Sequence, residues 1–230
     1  MNKKYDWLLF DADNTLWNFS KSEVYALEKS FADEKIPYQK SYLKTYHVEN
    51  KKCWDAFERG DLTQDRLRTL RMEKFFQVLE MDFDPVKFSE LYHHNLSITD
   101  FMIDGAYELL DRLKGHFKMA LVTNGLKEVQ RGRIETTKIG DYFETIVISD
   151  EIGVSKPHAG FFDYTFEQIN HPPKSSALMI GDSLNSDIYG GNSYGLDTCW
   201  YNPKRKYYNE STKPTFIINK LEQLLAIIES

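Results

Sequence analysis

The sequence predicts the α/β class: a Rossmann-like parallel sheet core with an inserted all-helical cap domain. Three observations carry that expectation. A four-residue apolar run, Trp7-Leu8-Leu9-Phe10, stands near the start and is followed at once by Asp11 and Asp13. A short apolar run of this kind reads as a buried strand. Residues 17–99 then show helical periodicity and no convincing strand. From Asp104 onward, short apolar runs alternate with helical stretches, the pattern of βαβ units and a parallel sheet. The expected division is a core of residues 1–16 and 100–230 and a helical cap of residues 17–99.

The elements follow in order. Ser20 with Glu23 fits a capping box, and Val24, Leu27 and Phe31 continue at helical spacing. Further helices are predicted over residues 42–57, 64–79 and 85–96, the last with Pro85 in its first turn. Gly60-Asp61 and Met81-Asp82 punctuate them. A helix at 106–113 leads to a strand at 119–122, a helix, a strand at 145–148 and a helix at 160–169. A strand at 177–180, a helix, and strands at 198–201 and 215–218 precede a last amphipathic helix ending at Ile228. The sequence has no repeats and no low-complexity segment.

Composition narrows the function classes. The chain has 230 residues, 41% of them apolar and 28% charged, with a net charge of −6. The acidic balance argues against a nucleic-acid polymer as partner, which wants a basic patch. It leaves room for a small anionic substrate, because a local cation overrides the global field. No apolar run reaches the length of a membrane span, so no membrane association is expected. The run after Met1 to Trp7 is too short for a signal peptide. Cys53 and Cys199 lack a CxxC partner, so they read as buried reduced thiols, which suits a cytoplasmic protein. Monomer and homodimer both stay open.

Four strand ends carry candidate chemistry. Asp11 and Asp13 fall at the carboxyl end of the first strand, where open α/β sheets bind ligands. Residues i and i+2 of a strand point the same way. Two carboxylates this close repel unless a hard cation such as Mg²⁺ offsets them, and one could then attack a phosphate held beside it. The competing reading is a helix cap and a turn residue. Thr123-Asn124-Gly125 follows the next strand and reads as a phosphate cradle or an ordinary turn. Ser155-Lys156-Pro157 offers a compact point charge for a phosphoryl group, or a solvated lysine. Gly181-Asp182-Ser183-Leu184-Asn185-Ser186-Asp187 again sets acids at a strand end. Asp182 is placed to ligate a cation. Asp187 would hold a metal-bound water or orient Lys156.

Asp-x-Asp-x-Thr, Thr-Asn-Gly, Lys-Pro and Gly-Asp-Ser-x-x-x-Asp in this order resemble the haloacid dehalogenase superfamily of phosphohydrolases, including its helical cap inserted after the first motif. Asp187-Ile188-Tyr189-Gly190-Gly191-Asn192, Gly195 and the stretch from Asp197 to Pro203 resemble more narrowly the bacterial pyrimidine 5'-nucleotidases of that superfamily. The resemblance implies a Mg²⁺-dependent phosphatase acting on a small phosphorylated metabolite, a nucleoside 5'-monophosphate. It implies Asp11 as nucleophile and Asp13 as acid and base. Mg²⁺ would be held by the Asp11 carboxylate, the Asp13 backbone carbonyl and Asp182. Thr123 and the Asn124 amide would hold the phosphoryl group, Lys156 would neutralise it, and Asp187 would act from behind these groups. The rivals are a sugar-phosphate phosphatase or phosphomutase on the same fold, a 2-haloacid dehalogenase and a non-catalytic binding module.

Within the insert, Trp17 and Phe19 are candidates either to stack on a base or to pack the hinge. His93 and His94, adjacent on a helix, read as a partly exposed pair rather than a metal pair. Arg66, Arg68 and Arg71 read as the polar face of a helix. Lys204-Arg205-Lys206 reads as a solvated loop near the cleft.

Overall fold

The computed structural model describes residues 4–229. Six strands form one parallel sheet: β1 (Trp7–Phe10), β2 (Lys118–Thr123), β3 (Thr145–Ile148), β4 (Ala177–Gly181), β5 (Asp197–Tyr201) and β6 (Phe216–Ile218), in the order β3-β2-β1-β4-β5-β6. The sheet is covered on both sides, which explains why its strands read as continuous apolar runs. Leu8 and Phe10 pack into one apolar cluster and Trp7 and Leu9 into another. β1 lies at the centre, with Phe10 opposite Leu121 of β2 and Ile180 of β4. That register brings Asp11 level with the ends of both neighbours, and its N–H donates to the Ile180 carbonyl at 2.8 Å.

Between β1 and β2 the chain forms α1 (Phe19–Asp33), α2 (Lys40–Glu58), α3 (Gln64–Leu79) and α4 (Pro85–Ser97). These helices share their own apolar cluster, joined by Leu126 and Val129. Phe31 of α1 is its centre and meets the rings of Tyr38, Tyr42, Phe75, Phe76 and Phe88. Such ring pairs add roughly 0.5–1.5 kcal/mol each beyond their buried area. The two connections to the sheet run side by side: Asn18 N–H donates to Phe101 O and Ile103 N–H to Leu16 O, both at 2.8 Å. The remaining helices are α5 (Ala106–Leu113), α6 (Lys127–Thr137), α7 (Ser149–Ile152), α8 (Ala159–Gln168), α9 (Gly190–Tyr194) and α10 (Leu224–Ile228). A π-helical turn, Leu184–Tyr189, precedes α9.

Several expectations need correction. The cap of α1 is Asn18, whose side chain accepts from Lys21 N–H, and not Ser20. Glu23 does not turn back to the helix start, because it pairs with His47 and accepts from Asn50. His93 and His94 differ: His93 is buried and His94 exposed, since only the former faces α3. Arg71 is also buried, whereas Arg66 is exposed on the far side of α3. Cys53 and Cys199 are buried and free. Among the described residues no helix is long and apolar enough to cross a membrane.

Candidate active site

The register of the sheet gathers the four motifs at one edge. Lys156, fully buried, donates from Nζ to Asp11 Oδ1 at 2.8 Å, to Asp187 Oδ1 at 2.7 Å and to the Val122 carbonyl at 2.7 Å. Three oxygens thus satisfy the three N–H donors of an ammonium. Thr15 Oγ1 donates to the other Asp11 oxygen at 3.2 Å. Asp187 is held from its second oxygen by the Ser183 N–H at 2.9 Å. Gly181 makes that approach possible, because a Cβ there would stand 2.2 Å from the Asp187 carboxylate. Asp182 is fixed by its own carbonyl, which accepts from Trp200 Nε1 at 2.9 Å.

Three acids around one lysine leave excess negative charge. Burial pushes the Asp11 carboxyl well above its ordinary range, Asp187 adds to this and Lys156 opposes it. Burial pushes Asp182 up to about 7, again helped by Asp187. Burial alone would lower Lys156, but Asp11 and Asp187 outweigh it and hold the ammonium up at about 12. A cation would relieve this imbalance. One carboxylate oxygen each from Asp11, Asp182 and Asp187 lies within 4.8 Å of the others. The oxygen-only donor set fits a hard divalent ion.

Asp13 lines the same cavity but is held from α6 rather than by Lys156. Its carboxylate accepts from Gln130 Nε2 at 2.8 Å and pairs with the Arg133 guanidinium, both on α6. Gln130 also donates to Thr123 Oγ1 at 3.0 Å, so α6 links Asp13 to the second motif. Gly125 leaves room for Gln130, because a Cβ would meet its side chain at 2.1 Å. The Asn124 side chain clamps the third motif: Nδ2 donates to Lys156 O at 2.7 Å and Oδ1 accepts from Lys156 N–H at 2.9 Å.

A cavity of about 310 Å³ opens over these groups. Asp11, Asp13, Thr123, Asn124, Asp182 and Asp187 form one end, and Asn50, Trp54, Phe57 and Arg71 from α2 and α3 form the other. Trp17 is not on this wall. It is fully buried in the sheet-side core, with the Arg133 guanidinium 4.3 Å from its ring centre. The stacking role proposed for Trp17 is therefore corrected to hinge packing, while Phe19 does line the cavity. Lys204 and Lys206 border a neighbouring hollow of about 370 Å³ that shares Asn14 and Asp182.

Sequence reasoning passed over Gln130, Arg133 and Asn50 and read Arg71 as part of the polar face of a helix, whereas it is buried and lines the cavity. The signal was present as polar residues at helical spacing from apolar ones: Arg71 between Leu67 and Phe75, Asn50 between Tyr46 and Cys53, Gln130 four residues after Leu126 and Arg133 four after Val129, all of them buried.

A parallel sheet with acids and a buried lysine converging on its carboxyl edge, beneath an inserted helical layer, defines a class of α/β hydrolases. Residues 5–195 match the haloacid dehalogenase-like hydrolase model, and the chain belongs to that family. It is 35% identical to pyrimidine 5'-nucleotidase YjjG of Escherichia coli strain K12, over 96% of each chain. It is 31% identical to pyrimidine 5'-nucleotidase PynA of Streptococcus pneumoniae, over 98% of this chain and 95% of that protein. The crystal structure of the HAD-hydrolase YfnB of Bacillus subtilis bound to magnesium superposes with a TM-score of 0.93 at 35% identity, over 99% of this chain and all of that one.

Proposed function

We propose that the protein is a Mg²⁺-dependent phosphatase of nucleoside 5'-monophosphates, pyrimidine ones in particular, and that residues 17–99 act as its cap. The observation that carries this reading is a single cavity that joins the Asp11–Lys156–Asp187 cluster to an aromatic wall of Trp54 and Phe57. Its volume of about 310 Å³ falls in the range of small-molecule pockets. The likeness to two pyrimidine 5'-nucleotidases over nearly the whole chain supports the same substrate.

In this mechanism Asp11 attacks the phosphorus, and the ester P–O bond breaks as an aspartyl-phosphate forms. Asp13 gives a proton to the departing oxygen, then takes one from the water that cleaves the intermediate and frees Asp11. Lys156 neutralises the phosphoryl oxygens and holds Asp11 in line, with Asp187 fixing its ammonium. Thr123 and the Asn124 backbone amide hold the phosphoryl group. Asp11, Asp182 and the Asp13 carbonyl would hold Mg²⁺, which supplies charge neutralisation at the phosphoryl group when bound. The cap closes over the substrate and excludes water.

The test compares kcat/KM for uridine, thymidine, adenosine and guanosine monophosphates and ribose 5-phosphate in Mg²⁺. Pyrimidine nucleotides should be cleaved best. Asp11→Asn, and wild type in excess chelator, should release no phosphate from any of them. Better cleavage of purine or sugar phosphates would remove the base assignment and leave the phosphatase standing. Turnover by Asp11→Asn would remove the nucleophile.

A further inference from the structure

Arg71 is a buried cation that the phosphoryl chemistry leaves unused. It is 3% exposed and sits in the apolar stripe of α3, yet it lines the cavity. A guanidinium carries five N–H donors. Nη1 donates to Asn50 Oδ1 at 3.2 Å and Nη2 to His93 Nε2, which leaves one N–H on each terminal nitrogen, while Nε is enclosed and has no partner among the described residues. No described carboxylate pairs with it. The nearest acid in the network is Glu23, which accepts from Asn50 Nδ2 at 3.3 Å and already pairs with His47 at 2.6 Å. Beyond the Asn50 amide oxygen, the His93 ring and the Tyr92 face 5.4 Å away, no anion among the described residues compensates this buried cation, so a further acceptor for its terminal N–H groups is expected from the cavity.

The surroundings define that acceptor. Trp54 and Phe57, edge to face at 5.7 Å, stand on the same wall. Phe19, Leu96, Leu126 and Val129 supply further apolar lining. A flat ring bearing an electron-rich oxygen matches this combination better than a sugar, whose hydroxyls would meet carbon. Uracil, thymine and cytosine share one such oxygen, the C2 carbonyl. At C4 cytosine presents an amine, which a guanidinium made only of donors cannot accept.

We propose that Arg71 reads the C2 carbonyl of the pyrimidine base, that Asn50 positions the guanidinium, and that Trp54 and Phe57 lie against the ring. This assignment rests on the nucleotide reading above and adds the residues that select the base. In the full-length protein, Arg71→Met lowers the ratio of kcat/KM for uridine monophosphate to that for ribose 5-phosphate by about 10- to 100-fold, the effect of losing a charge-assisted hydrogen bond. Its melting temperature falls only modestly, because removal of a buried cation that lacks a carboxylate offsets the acceptors of Asn50 and His93 left without a donor. Asn50→Ala moves the same ratio by less, through KM rather than kcat.

A substrate-side pair repeats the test without mutation, and decides it if Arg71→Met does not fold. Wild type cleaves the riboside monophosphate of pyrimidin-2-one, which keeps the C2 carbonyl, nearly as well as uridine monophosphate. It cleaves that of 4-pyridone, which lacks this carbonyl, about 10- to 100-fold less well. Equal cleavage of the two analogues, or an unchanged ratio in folded Arg71→Met, overturns the role of Arg71 and leaves the nucleotide reading in place. Wild type that does not prefer uridine monophosphate to ribose 5-phosphate overturns both.

Discussion

The two ends of the cavity handle buried charge in opposite ways. At the sheet edge, Lys156 is saturated: three oxygens receive its three donors, and two of them are carboxylates. In the helical insert, Arg71 is buried to a similar degree but, among the described residues, its acceptors are the Asn50 amide and the His93 ring, with the Tyr92 ring centre 5.4 Å away. One end is closed on itself and carries surplus negative charge; the other holds surplus donors. Reaction machinery that must be preorganised gains from internal pairing, since its groups need not move when charge develops. A surface that selects a ligand gains from unmet hydrogen-bonding capacity, because a wrong ligand then leaves it unmet.

Breaking the closed end should have the largest effect. Lys156→Met leaves Asp11 and Asp187 as unpaired buried carboxylates. It should destabilise the protein by about 3–5 kcal/mol in urea unfolding and remove turnover of every phosphate ester tested. Unchanged stability would show that the cluster does not hold the sheet edge together. A more selective break is Asp13→Asn. Loss of the proton donor should lower kcat/KM for uridine monophosphate by about 10²–10⁴-fold. The loss should be smaller for 4-nitrophenyl phosphate, whose leaving group needs no proton. Equal losses would argue against Asp13 as the acid.

The smallest effect sharpens the view of the cap. Burial, with Arg71 and Arg68 nearby, lowers the His93 pKa to about 2, and its Nδ1 stands 3.7 Å from Glu128. The folded protein therefore keeps this ring neutral while the unfolded chain protonates it below its ordinary value of 6.5. Stability contributed by the neutral ring is complete above pH 6.5 and declines as pH falls from there towards about 2. By pH 5 the loss from this group is about 2 kcal/mol. His93→Gln keeps an acceptor for Arg71 and cannot take up the proton. Urea unfolding at pH 7.5 and pH 5 should show a shallower decline for the variant; identical declines would count against the assignment.

The division between legible and illegible follows the same two ends. Asp11, Asp13 and Asp182 were readable because they stand at or just beyond the end of an apolar strand run, where a parallel sheet binds ligands, and Lys156 and Asp187 because short motifs carry them in the segments that follow β3 and β4. The order of the strands was not readable, since it depends on crossover connections. Nor was the turn of the Asp13 carboxylate towards Gln130 and Arg133, a contact across 117 and 120 residues. Trp17 misled for a related reason. Its position at the start of the insert is visible in the sequence, but its complete burial depends on packing from α5 and α6 of the core.

By itself the sequence determined the α/β class, the helical insert and the acids and lysine that meet at the sheet edge. These rest on local periodicity and on motifs a few residues long, which the chain carries whatever its tertiary arrangement. Only the tertiary structure decided which helical faces look into the cavity. Arg71 and Asn50 share a wall because α2 and α3 pack side by side, and Trp17 leaves it because the hinge buries it. Helix faces are chosen by what they pack against, and that choice is a property of the whole fold rather than of any one stretch of chain.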